Sequence, residues 1–316
     1  MGWVPDEQHA RFFAWKHRAN PHGESPSWVA VDGDRVVGFR TFLRWRFRQD
    51  GDHVAGVRAV DTATHPDYRG RGIFSELTMH ALDALAEEGV AFVYNTPNEA
   101  SLPGYLKMGW QRVGRLPVLS RPRSPRALLR LARARTPAER WSLESTAGVP
   151  AADALDRDDR IGTLAERPTT TPASGATDVA RIQTARSVEH LRWRYGFAPL
   201  GYRAVLVSDD PDDGLAIFRL RRRGAATEAA VCEMLLPGGD ATLHRRLVTR
   251  IVRESGADHA VLLGRAGSAR RPASALGEGL LQVPGQGPVL VWRAVRQTAP
   301  PPAHAWDLQL GDIELF

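Results

Sequence analysis

Three scarcities narrow what this chain of 316 residues can be. Cysteine occurs once, so no disulfide can close within the chain. Its setting, Ala-Ala-Val-Cys-Glu-Met-Leu-Leu around Cys232, marks a packed core residue rather than a nucleophile. No apolar run approaches the roughly 18 residues of a bilayer-crossing helix, and no charged-then-apolar leader opens the chain. The expectation is a cytoplasmic protein with no membrane span. Lysine is nearly missing: all but Lys16 and Lys107 of the 42 basic residues are arginine. The arginines are scattered, and no helix-turn-helix, zinc-finger or RNA-recognition signature accompanies them, so no nucleic-acid partner is expected. No histidine pair has metal-ligand spacing and no Gly-x-Ser-x-Gly elbow is present. Neither a metal centre nor a serine nucleophile is therefore supported. What remains is a chain with 43% apolar residues, enough for about two packed domains, whose net charge of +6 favours anionic ligands.

The stretch from Val57 to Phe74 carries the most information. Val57, Ala59, Asp61, Ala63 and His65 alternate with Arg58, Val60, Thr62 and Thr64 as a strand does, and Pro66 stops the run. Arg69-Gly70-Arg71-Gly72 follows, and from Ile73 an amphipathic helical pattern continues to Glu88. A strand entering a helix through a glycine-rich, arginine-bearing loop is an anion site. Bare backbone lets N–H groups approach the anion, and the helix dipole and arginine add positive charge. A nucleoside-triphosphate loop would need Lys-Ser or Lys-Thr after its last glycine, which is missing. A dinucleotide loop would need a third glycine where Ser75 stands.

Arg69-Gly70-Arg71-Gly72-Ile73-Phe74 resembles the acyl-CoA pyrophosphate loop of the GNAT acetyltransferases, Gln/Arg-x-x-Gly-x-Gly/Ala, with Phe74 in place of the small last residue. After a buried strand over Gly89–Asn95 comes a second likeness. Asn98, Tyr105 and Gly109-Trp110 keep the spacing of the family's Asn-x-x-Ala-x-x-x-Tyr-x-x-x-Gly-aromatic element, with the alanine displaced to Ala100. The resemblance is specific over roughly Pro26 to Leu119.

The rest of the chain fits around that segment. Asp6 to Ala19 reads as a helix, and Trp28–Asp32 with Val36–Phe47 as a hairpin. Trp110 to Leu119 reads as the strand that closes the first domain. GNAT domains begin with one more strand, expected here to be missing or supplied elsewhere. A basic helix near Ala127–Arg135 and an Ala, Thr, Pro and Asp-rich linker from Thr146 to Thr177 are expected next. The second half repeats the first: Trp193-Arg194, Pro199 and Gly201 stand at the offsets of Trp15-Lys16, Pro21 and Gly23. A hairpin (Tyr202–Ser208, Leu215–Arg222), a strand (Glu228–Leu236), a helix (Ala241–Ser255) and a strand (His259–Leu263) follow in the same order. Ala299-Pro-Pro-Pro302 and Trp306 to Phe316 read as a polyproline spacer and a final strand. The expected fold is α/β (α+β), with two tandem GNAT-like domains. Each has a mixed, mostly antiparallel sheet, flanking helices and a splayed central strand pair. The domains are placed at 1–125 (catalytic), 126–177 (basic helix and linker) and 178–316 (degenerate). The second copy has Pro237-Gly238-Gly239-Asp240 where the loop belongs, without the arginine and with an aspartate that would repel phosphate.

The resemblance implies an acyl-CoA-dependent N-acyltransferase moving acetyl from acetyl-CoA, with no metal, to a primary amine of a small molecule. It places pantetheine along Thr62, Ala63 and Thr64 and the pyrophosphate on Arg69, Gly70, Arg71, Gly72, Ile73 and Phe74, with Asn98 and Tyr105 completing the site. Tyr105 would protonate the leaving sulfur. Asp61 is the first choice of general base, ahead of His65, Glu99 and a bridging water. Two alternatives stay open: a longer or carrier-bound acyl donor, and a non-catalytic CoA-sensing module. A distant likeness to the enhanced-intracellular-survival acetyltransferases, whose third, sterol-carrier-like domain has no counterpart in this sequence, adds the C-terminal carboxylate of Phe316 as a candidate group.

Overall fold

The computed structural model describes residues 6–127, 130, 136–166, 181–264, 279–282, 287–297 and 299–314. In chain order the helices used below are α1 (Glu7–Phe13), α2 (Ile73–Glu87), α3 (Leu102–Lys107), α4 (Ala151–Arg157), α5 (Arg160–Glu166), α6 (Val188–Tyr195), α7 (Ala241–Ser255) and α8 (Leu310–Ile313). The strands are β1 (Ser27–Asp32), β2 (Arg35–Gln49), β3 (Asp52–Thr64), β4 (Phe92–Asn95), β5 (Gln111–Arg115), β6 (Val118–Pro122), β7 (Val149–Pro150), β8 (Ile182–Thr184), β9 (Arg203–Leu206), β10 (Leu215–Arg223), β11 (Ala226–Leu235), β12 (His259–Leu263), β13 (Leu281–Gln282), β14 (Val289–Ala294) and β15 (Trp306–Asp307). The chain divides into two units, each built on its own sheet.

The first unit takes the described residues of Met1–Arg115, Ala180–Ala185 and Pro288–Trp306. Its strands run in the order β15-β8-β2-β3-β4-β14-β5, with β1 paired to β2. β1, β2 and β3 form an antiparallel meander whose turns use Gly33 and Gly51, both at positive φ. β3 and β4 are parallel, joined by α2. Apolar side chains at helical spacing on α2, Ala81, Leu82 and Leu85, pack on Phe42, Val57 and Val93 of the sheet. Among the described residues no strand other than β2 pairs with β1, and the family's extra first strand has no described counterpart.

The second unit takes the described residues of Leu116–Val179, Arg186–Gly287 and Asp307–Phe316. Its order is β13-β6-β12-β11-β10-β9-β7, and α7 spans the residues read from the sequence. Leu247, Val248, Ile251 and Val252 of α7 cover one face of the sheet's core. This unit also buries a cluster of charged side chains. Glu314 accepts from Arg219, Arg221 and the Tyr202 hydroxyl, and Arg186 bridges Glu233 and Asp312 at 2.6 and 2.8 Å. Burial, with Asp312 sharing the same arginine, pushes the Glu233 carboxyl up to about 7 despite that ion pair. Removing one partner from such a cluster leaves a buried charge uncompensated.

Several expectations are corrected. Trp110 to Leu119 is not one closing strand: β5 belongs to the first sheet, and β6 pairs with β12 in the second. The place beside β4 is taken by β14, with Val291 opposite Asn95 and Trp292 opposite Tyr94. Thr146 to Thr177 is no simple linker, because α4 and α5 bury Ala151, Leu155, Ile161 and Leu164. In place of a final strand from Trp306 to Phe316, the described residues of that stretch hold the two-residue β15 and the short helix α8. Most of Ala127–Arg135 and the terminal Phe316 lie outside the described residues. No helix among the described residues is long and apolar enough to cross a membrane.

Because Trp292 is fully buried in the first sheet, next to the Phe92 ring, it contributes to that core from far along the chain. Trp292→Ala should cost about 3–5 kcal/mol, read as a lower denaturation midpoint at unchanged slope. A loss below about 1 kcal/mol, outside that range, would mean that β14 adds little to the first sheet.

Candidate functional site

The site begins where β3 and β4 part. Their parallel pairing covers Gly56 with Phe92, Val57 with Val93 and Arg58 with Tyr94, while β3 continues to Thr64 with no strand paired to it on that side among the described residues. On its other side β3 carries a bulge. Arg40 pairs with Thr62 and Thr41 with Val60, so Asp61 is the extra residue, held at φ 37°. A left-handed aspartate is strained by about 1–3 kcal/mol, and its side chain is tied down. Lys16 Nζ and His17 Nε2 both reach Asp61 Oδ2, at 2.7 and 2.8 Å. A π-type turn, Ala14–Arg18, continues α1 and delivers these consecutive side chains to one carboxylate.

This arrangement argues against Asp61 as the general base. Burial opposes its ionisation, but the Lys16 ammonium and the His17 hydrogen bond outweigh that and hold the carboxyl far below the usual carboxylate range. Such a carboxylate has little tendency to take a proton at neutral pH. Burial pushes the His17 imidazole down, more than its bond to Asp61 lifts it. Its Nδ1 is buried without a partner. The other sequence candidates lie apart: His65 is bonded to Arg35 at 2.6 Å and follows β3, and Glu99 is exposed in the turn before α3.

The loop after β3 has the form expected of an anion cradle. Pro66–Tyr68 makes a tight turn, and Gly70 and Gly72 adopt φ of 75° and 83° with open space where a Cβ would stand. Arg69 and Arg71 are exposed, and Arg71 stacks over Tyr68. Gly72 caps α2 without any side-chain bond, so the N–H groups of the first turn, Ile73 and Phe74 included, are left for a ligand. Thr62, Ala63 and Thr64 lie on the unpaired reach of β3, although the Thr62 hydroxyl donates to the Phe39 carbonyl.

Asn98 and Tyr105 belong to the next element. The Asn98 carboxamide oxygen accepts from the Ser101 N–H and hydroxyl, both at 2.9 Å, and shapes the entry to α3. Tyr105 is 3% exposed, and its hydroxyl accepts from Arg40 Nη2 at 3.0 Å. Phe74 meets the Tyr105 ring edge-on at 5.6 Å, so the large residue in the loop's last position fills the space between α2 and α3. Sequence reasoning overlooked Arg40, Lys16 and His17. Arg40 had one available signal: it lies two residues before Phe42, on the same face of β2.

The second unit repeats the geometry with different side chains. Ile217 pairs with Glu233 and Phe218 with Val231, which makes Cys232 the extra residue, and β11 pairs with β12 only from Glu228 to Ala230. Cys232 is fully buried, and burial raises its thiol well above the ordinary value. Asp240 caps α7, its carboxylate accepting from the N–H groups of Thr242 and Leu243 at 2.6 and 3.2 Å. The donors left free at α2 are thus occupied here by the chain itself. Among the described residues no group of three or more His, Cys, Asp or Glu side chains is placed to hold a metal.

Comparison with known proteins agrees with this geometry. Residues 3–113 match the family described as acetyltransferase (GNAT) domain. No curated protein matches the chain in sequence. Among solved structures, a conserved protein from Enterococcus faecalis described as a probable N-acyltransferase is 17% identical with a TM-score of 0.63, covering 93% of this chain and 67% of its own. A GCN5-related N-acetyltransferase from Anabaena variabilis is 15% identical with a TM-score of 0.52, covering 85% of this chain and 62% of its own. Eis1 from Mycobacterium abscessus is 16% identical with a TM-score of 0.54, covering 92% of this chain and 71% of its own. By sequence, residues 3–113 thus match a GNAT acetyltransferase domain, and the chain as a whole shares the fold of these solved structures.

Proposed function

We propose that the first unit is an acyl-CoA-dependent N-acyltransferase that moves acetyl from acetyl-CoA to a primary amine of a small molecule, and that the second unit binds no acyl-CoA. The observation that carries this reading is the difference between the two helix starts. α2 offers uncapped N–H groups behind Gly70 and Gly72, whereas Asp240 fills the same position at α7. In this reading the pyrophosphate lies on residues 69–74 and pantetheine follows β3 past Thr62, Ala63 and Thr64. The thioester then sits near the bulge. The amine attacks the thioester carbonyl after losing its proton to water, since Asp61 is committed to Lys16 and His17. Tyr105 donates its proton to the departing sulfur. Steady-state thiol release with acetyl-CoA and a panel of amines separates this enzyme from a CoA-sensing module, and longer acyl-CoA donors in the same assay test the chain length.

Gly72→Glu should abolish acetyl-CoA binding measured by calorimetry, because it puts a carboxylate where the diphosphate should lie. Gly72→Ala carries the backbone strain of φ 83° without the charge and should bind more tightly than Gly72→Glu. Gly239→Glu should bind as wild type. Two acetyl-CoA sites, or equal losses at Gly72 and Gly239, would overturn the asymmetry.

Tyr105→Phe should lower kcat about 10²–10³-fold with Km nearly unchanged, the lower part of the range for general acid catalysis and about 3–4 kcal/mol on the barrier. The loss should shrink with a donor whose thiol is more acidic. A variant keeping more than half of the wild-type kcat would make Tyr105 a packing residue.

A further inference from the structure

Arg40 is a buried cation that no carboxylate meets among the described residues. Its side chain is fully enclosed, and among the described residues it forms no ion pair. Its guanidinium carbon lies 4.5 Å from the Phe42 ring centre, 5.2 Å from Phe74 and 5.6 Å from Tyr105. Nη2 donates to the Tyr105 hydroxyl at 3.0 Å, while Nε and Nη1 are buried without partners. Cation–π contacts with three rings offset part of the desolvation, but a buried guanidinium with unused donors stays costly. An apolar side chain would fill the same space without that cost, so packing does not account for the charge.

We propose that Arg40 is the positioning residue for the leaving-group acid, which rests on the acyltransferase reading above. The argument follows from hydrogen-bond chemistry. A guanidinium has donors only, so at the Arg40–Tyr105 contact the phenolic oxygen must be the acceptor. Its own hydrogen is thereby turned away from Arg40 and is free to be given to another group. In a tyrosine without such a neighbour the hydrogen swings between two in-plane positions, and only one can serve the reaction. Arg40 also meets the charge that the step creates. The amine nitrogen forms the C–N bond, the C–S bond breaks with its electron pair on sulfur, and the Tyr105 proton passes to that sulfur. The oxygen left behind is anionic beside a fixed cation, until it regains through water the proton that the amine releases. A cation already in place at that oxygen needs no reorganisation during the step. Its position follows from the strand: Arg40 stands opposite Thr62, next to the bulge, on the face of β2 that also carries Phe42.

The test is steady-state kinetics of Arg40→Met, Arg40→Lys, Tyr105→Phe and the Arg40→Met/Tyr105→Phe double variant, on protein whose folding is checked by denaturation. Arg40→Met should lower kcat about ten- to a hundredfold, below the loss seen when an oxyanion donor is removed. Acetyl-CoA affinity by calorimetry should stay within about twofold of wild type, as expected of an interaction that does not touch the bound donor and strengthens in the transition state. Arg40→Lys, which restores one donor and the charge, should recover part of the rate. The Arg40→Met penalty should shrink with a more acidic thiol leaving group, and the double variant should be no slower than Tyr105→Phe alone. Three results would overturn the proposal: wild-type kcat in Arg40→Met, penalties that multiply in the double variant, or a penalty independent of the leaving group. A wild-type chain that releases no thiol with any amine overturns the acyltransferase reading and this role with it. A wild-type enzyme slowed by Tyr105→Phe but not by Arg40→Met overturns this role alone.

Discussion

The extra residue at Asp61 shifts β3 against β2 at the point where β3 leaves β4, and the geometry of the first unit follows from that shift. A strand with regular pairing on both sides would have no free backbone to offer a ligand. The bulge concentrates twist in one residue, and the cost is a left-handed backbone at a side chain that does not favour it. The ion pair with Lys16 and the hydrogen bond with His17 hold that conformation, and they depend in turn on the widened turn that ends α1. Chemistry and architecture compete for the same carboxylate. A group held ionised by two neighbours serves as an anchor and is poorly suited to accept a proton.

The second unit shows how few residues set the two frames apart at the corresponding place. Its strands part in the same way and its bulge falls at the matching place, but the bulged residue is a buried cysteine and the helix start is closed by Asp240. Glu314 lies 3.3 Å from the Cys232 sulfur and collects Arg194, Arg219 and Arg221 around it. A buried cluster of this kind sustains itself only while all its members are present. The consequence is a unit closed by internal ion pairs at the place where the first keeps an uncapped helix start.

What the sequence made legible was local. The extent of α7, the hairpins of both units and the glycine loop followed from periodicity, turn residues and spacing within about twenty positions, because the forces that set them act between near neighbours. Asp61 was singled out, but its partners were not, since nothing in a one-dimensional pattern brings Lys16 and His17 to a residue more than forty positions away. Arg40 was passed over because arginine in a strand usually faces water, although Phe42 two residues on marks its face of β2 as the buried one. The segment from Thr146 was misread because its alanine, proline and aspartate content suggested a linker. Ala151, Ala154 and Leu155 nevertheless recur at helical spacing and are buried. The sheet membership of β6 and β14 was the deepest miss. Pairing between strands distant in the chain is decided by edges that only the assembled sheets present.

The place of β14 has a consequence during synthesis. β4 and β5 emerge from the ribosome early, yet the strand that lies between them, Val289–Ala294, is made nearly two hundred residues later. Domains that fold as contiguous units can settle one by one as the chain lengthens, at about 5–20 residues per second. The first unit here has to keep an unfilled gap in its sheet for on the order of ten seconds or more at that rate. During that interval the facing edges of β4 and β5 are open to any other strand, including the same segment of a neighbouring nascent chain. Crowded expression would therefore favour exchange of this strand between copies, and slowing initiation, rather than elongation, is the way to avoid it.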